Sequence, residues 1–496
     1  MRTPLRGIYN MVFTSFEYLL FFLPVAICCA YLCARIKPVF VLTWIVVASL
    51  YFYAFWNPAH LPVLLCSIAF NFTCGKLISR SRVKKLWLII GVASNIAALG
   101  YFKYTNFIVT IVTSVTGAEF PMEEIVLPLA MSFFTFQQLA WLVDQYRNDA
   151  PKSTFLEYIC AVTFFPHLIA GPIVQYHDLI PQFQNKNSFS LNWDFVARGL
   201  FLIGCGVFKK IVIADTLSVY VAHGFDGTGT LNLIQAWFSV FAYTMQIYFD
   251  FSGYCDIAIG SASLFGIRLP DNFRSPYKAN SPREFWQKWH ITLGYFLTRY
   301  LYIPLGGNRG GLLRSCTNVI FVMLVSGLWH GAGFGFILWG AAHGAAMVIQ
   351  RFWNAAGRTL PSIPAKCLTF LFVATAWVLF RATDLEVAAK IYRGMLGLDG
   401  IILPRFFRKV IPSTWDIAYM NINDIFGTEI YGGVLPLLGA FICVYACKEA
   451  GQVWDMFVQR RSRFVYVLSA GSATLLFLAF IKILAIPYTE FIYFNF

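Results

Sequence analysis

Apolar stretches of membrane-spanning length recur from one end of this chain to the other. A hydrocarbon core about 30 Å thick takes roughly 20 apolar residues of helix to cross. Lipid offers no partner to an open backbone, so such stretches must close their hydrogen bonds within themselves. Strong candidates are 16–34, 39–55, 61–75 and 86–101. Further ones are 125–143, 155–170, 195–221, 234–249, 319–329, 334–349, 368–380, 434–445 and 465–486. Several are too short for a full crossing and are expected to be re-entrant, tilted or interfacial helices. The expected fold is all-α: a polytopic transmembrane helical protein with about ten to twelve crossings. We read a single membrane domain over 1–496, with N-terminal helices in 1–150, a core holding the chemistry in 151–350 and C-terminal helices in 351–496.

Composition removes the main alternative. The chain is 58% hydrophobic and only 12% charged, about half the charge of a soluble domain, which excludes a large soluble enzyme. The net charge of +14 fits basic cytoplasmic loops better than nucleic-acid binding. Lys76, Arg80, Arg82, Lys84 and Lys85 separate the third and fourth apolar stretches and belong inside by the positive-inside rule. Counting back, Arg35 and Lys37 also fall inside and the N-terminus outside. The first apolar stretch carries no cleavage site, so it reads as a retained span, and Met11 is a second candidate start. The twelve cysteines include no Cys-x-x-Cys pair and read as small buried hydrophobes.

Residues 266–314 differ from their surroundings. Arg268, Arg274, Lys278, Arg283, Lys288 and Arg299 alternate there with Trp286, Trp289, Tyr295 and Tyr300, a mixture suited to helices at or dipping into the membrane surface. Ser281 followed by Pro282 predicts a helix start, and the run from Leu305 to Gly311 predicts a break. Residues 399–432 are expected to form a surface loop.

Two histidines stand out. His330, in Trp329-His330-Gly331, interrupts an apolar run, and a titratable group there usually faces a polar cavity and carries function. A neutral imidazole can take a proton from a hydroxyl at physiological pH, and burial favours that base form. His290, forty residues upstream beside Trp289, is the second candidate. His343 would stand 13 residues beyond His330 along a continuous helix, well away from it, and packing is the stronger reading there. Asp250 and Asp256 could orient a histidine or pair with a buried arginine, Gln246 on the preceding turn could line the same cavity, and these three with Trp329, Trp289 and His343 are the candidate substrate-channel residues. Arg381 reads as a structural pairing partner or an interface anchor. No nucleophile elbow, phosphate-binding loop or His-Glu-x-x-His is present, which argues against a serine hydrolase, an ATP-driven machine and that class of metalloprotease.

Several motifs occur together: 165–173 with Pro166-His167, 249–254 with Asp250, 285–293 with His290, 302–309, Trp329-His330-Gly331, 377–382 and the chain end at 491–496. In order and spacing this set resembles the membrane-bound O-acyltransferase family, nearest its alginate O-acetylation branch, over most of the chain. The resemblance departs at His167, Gly294 and Thr298-Arg299. It implies a catalytic role for His330 and a second role for His290. It also implies a cytoplasmic thioester donor, acetyl-CoA or an acyl carrier protein, whose acyl group crosses a narrow channel to a hydroxyl on the far side. The implied setting is a bacterial inner membrane, with a periplasmic acetyltransferase partner and polysaccharide machinery; no nucleic acid, metal or permanently bound cofactor is expected. D-alanyl transfer, peptidoglycan O-acylation, a transporter or flippase, and a non-enzymatic scaffold remain as alternatives.

Overall fold

The computed structural model describes residues 11–118, 125–169, 171–185, 188–405, 408, 418–420, 430–459, 471, 472, 474 and 475. The expected span 465–486 and the chain end at 491–496 lie largely or wholly outside these. The chain divides into two compact units: residues 1–207, 254–271 and 454–477 form the first, and 208–253, 272–453 and 478–496 the second.

The first unit opens with α1 (Glu17–Ala34), α2 (Pro38–Trp56), α3 (Leu61–Arg80) and α4 (Lys84–Thr116). Pro38 starts α2 at a position where a missing N–H costs nothing. Then come α5 (Met131–Arg147), α6 (Phe155–Thr163), α7 (Phe165–Leu168), α8 (Tyr176–Gln184) and α9 (Trp193–Val207). Small and polar side chains tie these helices where lipid supplies no hydrophobic drive. Asn71 and Asn95 exchange hydrogen bonds between α3 and α4, and Tyr18 donates to Ser261 at 2.8 Å.

The second unit begins with a π-helical turn, Phe208–Ala214, and α10 (Asp215–Phe225). Next is α11 (Leu233–Leu264), whose residues up to Gly253 belong to this unit. Two short helices follow, α12 (Pro282–Lys288) and α13 (Ile291–Leu297). Ser281 caps α12 by accepting from the Glu284 amide, with Pro282 as the first helical residue, as its sequence predicts. After the break at Gly306 and Gly307, both at positive φ, come α14 (Gly311–His330) and α15 (Phe334–Ala355). The unit continues with α16 (Ser362–Arg381), α17 (Leu385–Met395) and α18 (Ile430–Ala446), and α19 (Ala450–Gln459) starts within it.

Among the described residues, six helices are long and apolar enough to cross a membrane: α1, α2, α3, α4, α14 and α16. A bent pair formed by α18 and α19 would make seven. Fewer than the expected ten to twelve pass because 155–170 is cut into α6 and α7, while α11 and α15 have the length but carry more polar side chains. The stretch expected as a surface loop contains one short parallel pair, β1 (Ile402–Pro404) with β2 (Ala418–Met420). All twelve cysteines are free, but only Cys74, Cys160, Cys255 and Cys316 are buried. The others are exposed or half-buried, which corrects the expectation that they are buried hydrophobes.

Candidate active site

Chain reversal builds the site. α14 ends at His330 because Gly331 turns extended, and glycine is needed there since a Cβ would strike the Phe336 ring. After two more residues α15 runs back against α14. The crossing is tight: a Cβ on Gly340 would meet the Met323 carbonyl, and one on Gly327 the Phe336 carbonyl. His343 is therefore not stranded further along one axis. It sits one turn beyond Trp339 on the same face of α15, and the Trp339 ring lies 5.0 Å from both His330 and His343.

His290 is held by the backbone. Arg274 donates to the Lys288 carbonyl and Ile291 to the Asn272 carbonyl, each at 3.0 Å, bracketing an antiparallel bridge between Phe273 and Trp289. His290 stands between α12 and α13 at φ 45°, ψ 54°, a left-handed conformation uncommon for a side-chain-bearing residue and frequent at functional sites. Its ring centroid is 6.5 Å from that of His330.

Partners fix the protonation of each ring. His330 Nδ1 lies 2.6 Å from the Ser326 carbonyl. A carbonyl only accepts, so Nδ1 carries the proton and Nε2 is the basic nitrogen. Asn272 Oδ1 accepts from the Thr292 amide and hydroxyl, which identifies it as oxygen, and His290 Nδ1 donates to it at 3.1 Å. His290 Nε2 is then an acceptor, buried without a hydrogen-bond partner. His290 lies outside the spanning helices, and burial, aided by His330, holds its imidazole well below the ordinary range. For His343 the logic inverts. The Trp286 indole donates to its Nδ1 at 3.2 Å, so the neutral ring carries its proton on Nε2.

Aromatic rings enclose these groups. Trp329 packs on His330 at 4.9 Å and on His290 at 6.1 Å. Trp289, fully buried, packs on Trp377 at 5.0 Å. Beside the cluster lies a cavity of about 740 Å³ lined by Trp286, Tyr295, Tyr302, Arg283, Arg309 and Arg351 among others. Trp286 is thus at once a cavity wall and the partner of His343.

The carboxylates take other places. Asp250 is fully buried and pairs with Lys210 at 2.5 Å, and Lys210 also meets Asp215 at 2.8 Å. The expected cationic partner was an arginine; a lysine fills that place, and the group that orients His290 is the Asn272 amide. Asp256 belongs to the first unit, close enough to Arg198 for their charges to interact. Gln246 lies on α11, half-buried, with its Oε1 unpartnered. Arg381 Nη2 donates to both carboxylate oxygens of Asp226, at 2.7 and 2.9 Å, the structural role expected of it. Sequence reading passed over Lys210, although a lysine pair inside an apolar run is a recognised signal. It also passed over Asn272, which lies in no motif, and Thr292, which lies in the 285–293 motif but was given no role.

The family model of membrane-bound O-acyltransferases matches residues 105–382, a span containing every histidine of the cluster. The chain is 41% identical over 494 residues to a peptidoglycan O-acetyltransferase of Helicobacter pylori, covering 93% of this chain and 92% of that protein. It is 39% identical over 456 residues to a probable alginate O-acetylase of Pseudomonas aeruginosa, covering 88% and 82%. A teichoic acid D-alanyltransferase of Bacillus subtilis is 24% identical over 279 residues, covering 52% and 70%.

Proposed function

This chain belongs to the membrane-bound O-acyltransferase family as a multi-pass membrane O-acyltransferase, and from that premise we propose that it moves an acetyl group from a cytoplasmic thioester to a hydroxyl destined for an exported or cell-wall polysaccharide. The observation that carries the reading is the pair of facing imidazoles. Their rings are 6.5 Å apart, each with Nδ1 committed to a fixed acceptor and Nε2 left as the basic nitrogen.

His330 Nε2 takes the proton as the acceptor hydroxyl oxygen attacks the thioester carbonyl. The tetrahedral intermediate collapses by breaking its C–S bond, and the departing sulfur takes the proton back from the imidazolium. His290 Nε2 accepts a hydrogen bond from the acceptor and holds it in place. The three guanidinium groups of Arg283, Arg309 and Arg351 around the cavity suit a donor with a phosphate-bearing arm, acetyl-CoA or an acyl carrier protein. Basic residues at the ends of α3 and α4 support an inner-membrane protein with its N-terminus in the periplasm. A periplasmic acetyltransferase and the polysaccharide machinery would then receive the group.

Acetyl is favoured over D-alanyl because the acetyl-transfer relatives reach 39–41% identity over most of the chain, against 24% over about half of it. The names of those relatives offer two acceptors, alginate and peptidoglycan. The test is ester-linked acetate on the cell-envelope glycans of cells whose only copy is His330→Ala or His290→Ala, inserted at the normal level. Loss of ester in both is expected; full acetylation by His330→Ala would sink the reading.

A further inference from the structure

Catalysis of acyl transfer needs more than a base. Negative charge develops on the carbonyl oxygen as the hydroxyl adds, and donors aimed at it are commonly the largest contribution to rate. Two buried N–H groups of α15 are engaged by no protein acceptor among the described residues. One is Trp339 Nε1; the other is His343 Nε2. Both residues are fully buried, where an unpaired donor is costly and calls for an explanation. His343 Nε2 is a donor rather than an acceptor because the Trp286 indole occupies Nδ1.

Their placement is specific. Trp339 and His343 are four residues apart on α15 and share one face of it. Their rings are 5.0 Å apart, and Trp339 is also 5.0 Å from His330. Two N–H donors each about 2.9 Å from one oxygen stand roughly 4–5.5 Å from each other, a separation that two rings with centroids 5.0 Å apart can present. We propose that Trp339 Nε1–H and His343 Nε2–H together receive the oxygen of the acyl carbonyl as it becomes an oxyanion. The proposal rests on the reading of His330 as the base. In the attack step the hydroxyl oxygen bonds to the carbonyl carbon, the C=O π pair moves to oxygen, and the two N–H groups donate to it. When the C–S bond breaks the pair returns, and neither donor loses its proton. The Trp286 indole acts one step removed, as a positioning residue that keeps the His343 proton on Nε2.

The experiment compares wild type with Trp339→Phe, His343→Leu, His343→Gln, Trp286→Phe and His330→Ala in membrane vesicles. Acetyl-CoA labelled in the acetyl group is the probe, and kcat and KM are read from label entering the vesicle glycan. Ester acetate in whole cells serves as the second readout and does not depend on which thioester is used. Trp339→Phe keeps an aromatic ring and loses the donor together with part of the indole's bulk, so the melting temperature is read beside kcat. Trp339→Phe and His343→Leu are each expected to lower kcat by about 10²–10³-fold with KM nearly unchanged. His343→Gln, which retains an N–H, recovers part of the loss, and Trp286→Phe lowers kcat while both donor residues stay in the sequence, because it removes the hydrogen bond to His343 Nδ1. If Trp339→Phe and His343→Leu acetylate like wild type while His330→Ala is dead, the donor pair is overturned and the base stands. If His330→Ala is active, both fall.

Discussion

Asn272 shows how a group with no chemistry of its own sets the chemistry of a neighbour. Its Oδ1 is pinned by the amide and hydroxyl of Thr292 and takes the Nδ1 proton of His290. Asn272→Ala removes that acceptor and frees the ring to adopt the other tautomer. The expected outcome is a fall in kcat of at least about tenfold with KM little changed, measured on variants inserted at equal levels. Lys210 is the complementary case. Lys210→Met leaves Asp250 buried without its cation, and the expected cost is about 3–5 kcal/mol, read as a lowered melting temperature in detergent. Lys210→Met combined with Asp250→Leu restores part of it, because the fully buried carboxylate leaves together with its partner while Asp215 still loses its Lys210 contact. These two residues also mark where reading the chain alone runs out. Trp-His pairs in apolar surroundings announce His290 and His330, whereas an asparagine or a lysine acquires its role only when the fold delivers its partner.

At the scale of elements, the α14–α15 crossing decides which histidines meet. Gly340→Val places branched carbon against the Met323 carbonyl and must push the helices apart. Overpacking of this kind costs about 1–3 kcal/mol, and transfer activity is expected to fall more steeply than stability, since the imidazoles lie on opposite sides of that seam. Comparing the melting temperature with kcat in one preparation separates the two effects. Helix α17 provides a pH test. Its N-cap Asp384 accepts from the Val387 amide, and that hydrogen bond holds its carboxyl below the usual value. A depressed folded value means the cap contributes at neutral pH and is lost as pH falls below about 3.9. A lowered protection factor for the Val387 amide, its exchange corrected for the intrinsic rate at each pH, in that acid range and not above it is the expected sign. Most long helices were legible in apolar runs, and the start of α12 in Ser281-Pro282, whereas α8, α17 and α19 fall in none of those runs. The fold-back at Gly331–Gly333 was not. Glycine marks a possible break without telling the chain which way to leave it, and this is why His343 is misplaced by counting along a straight axis.

For the whole molecule, the hydropathy pattern was enough for class, an all-α membrane protein, because lipid permits so few solutions. It was not enough for the number of crossings, since helix length and polar content, not apolar runs alone, decide which segments qualify. Orientation is open to a direct test. A reporter that folds only in the cytoplasm, fused after Arg82 in the α3–α4 connection, is expected to be active, and the same reporter at the N-terminus silent. The reverse pattern would invert the proposed direction of transfer.

The aromatic cage has one more consequence. Indole emission is dimmed by a nearby imidazolium, and here Trp329 and Trp339 touch His330 while Trp286 touches His343. The molecule therefore carries its own optical gauge: proton arrival at these rings, or an acyl chain lodging between them, should register as a change in intrinsic fluorescence with no label added.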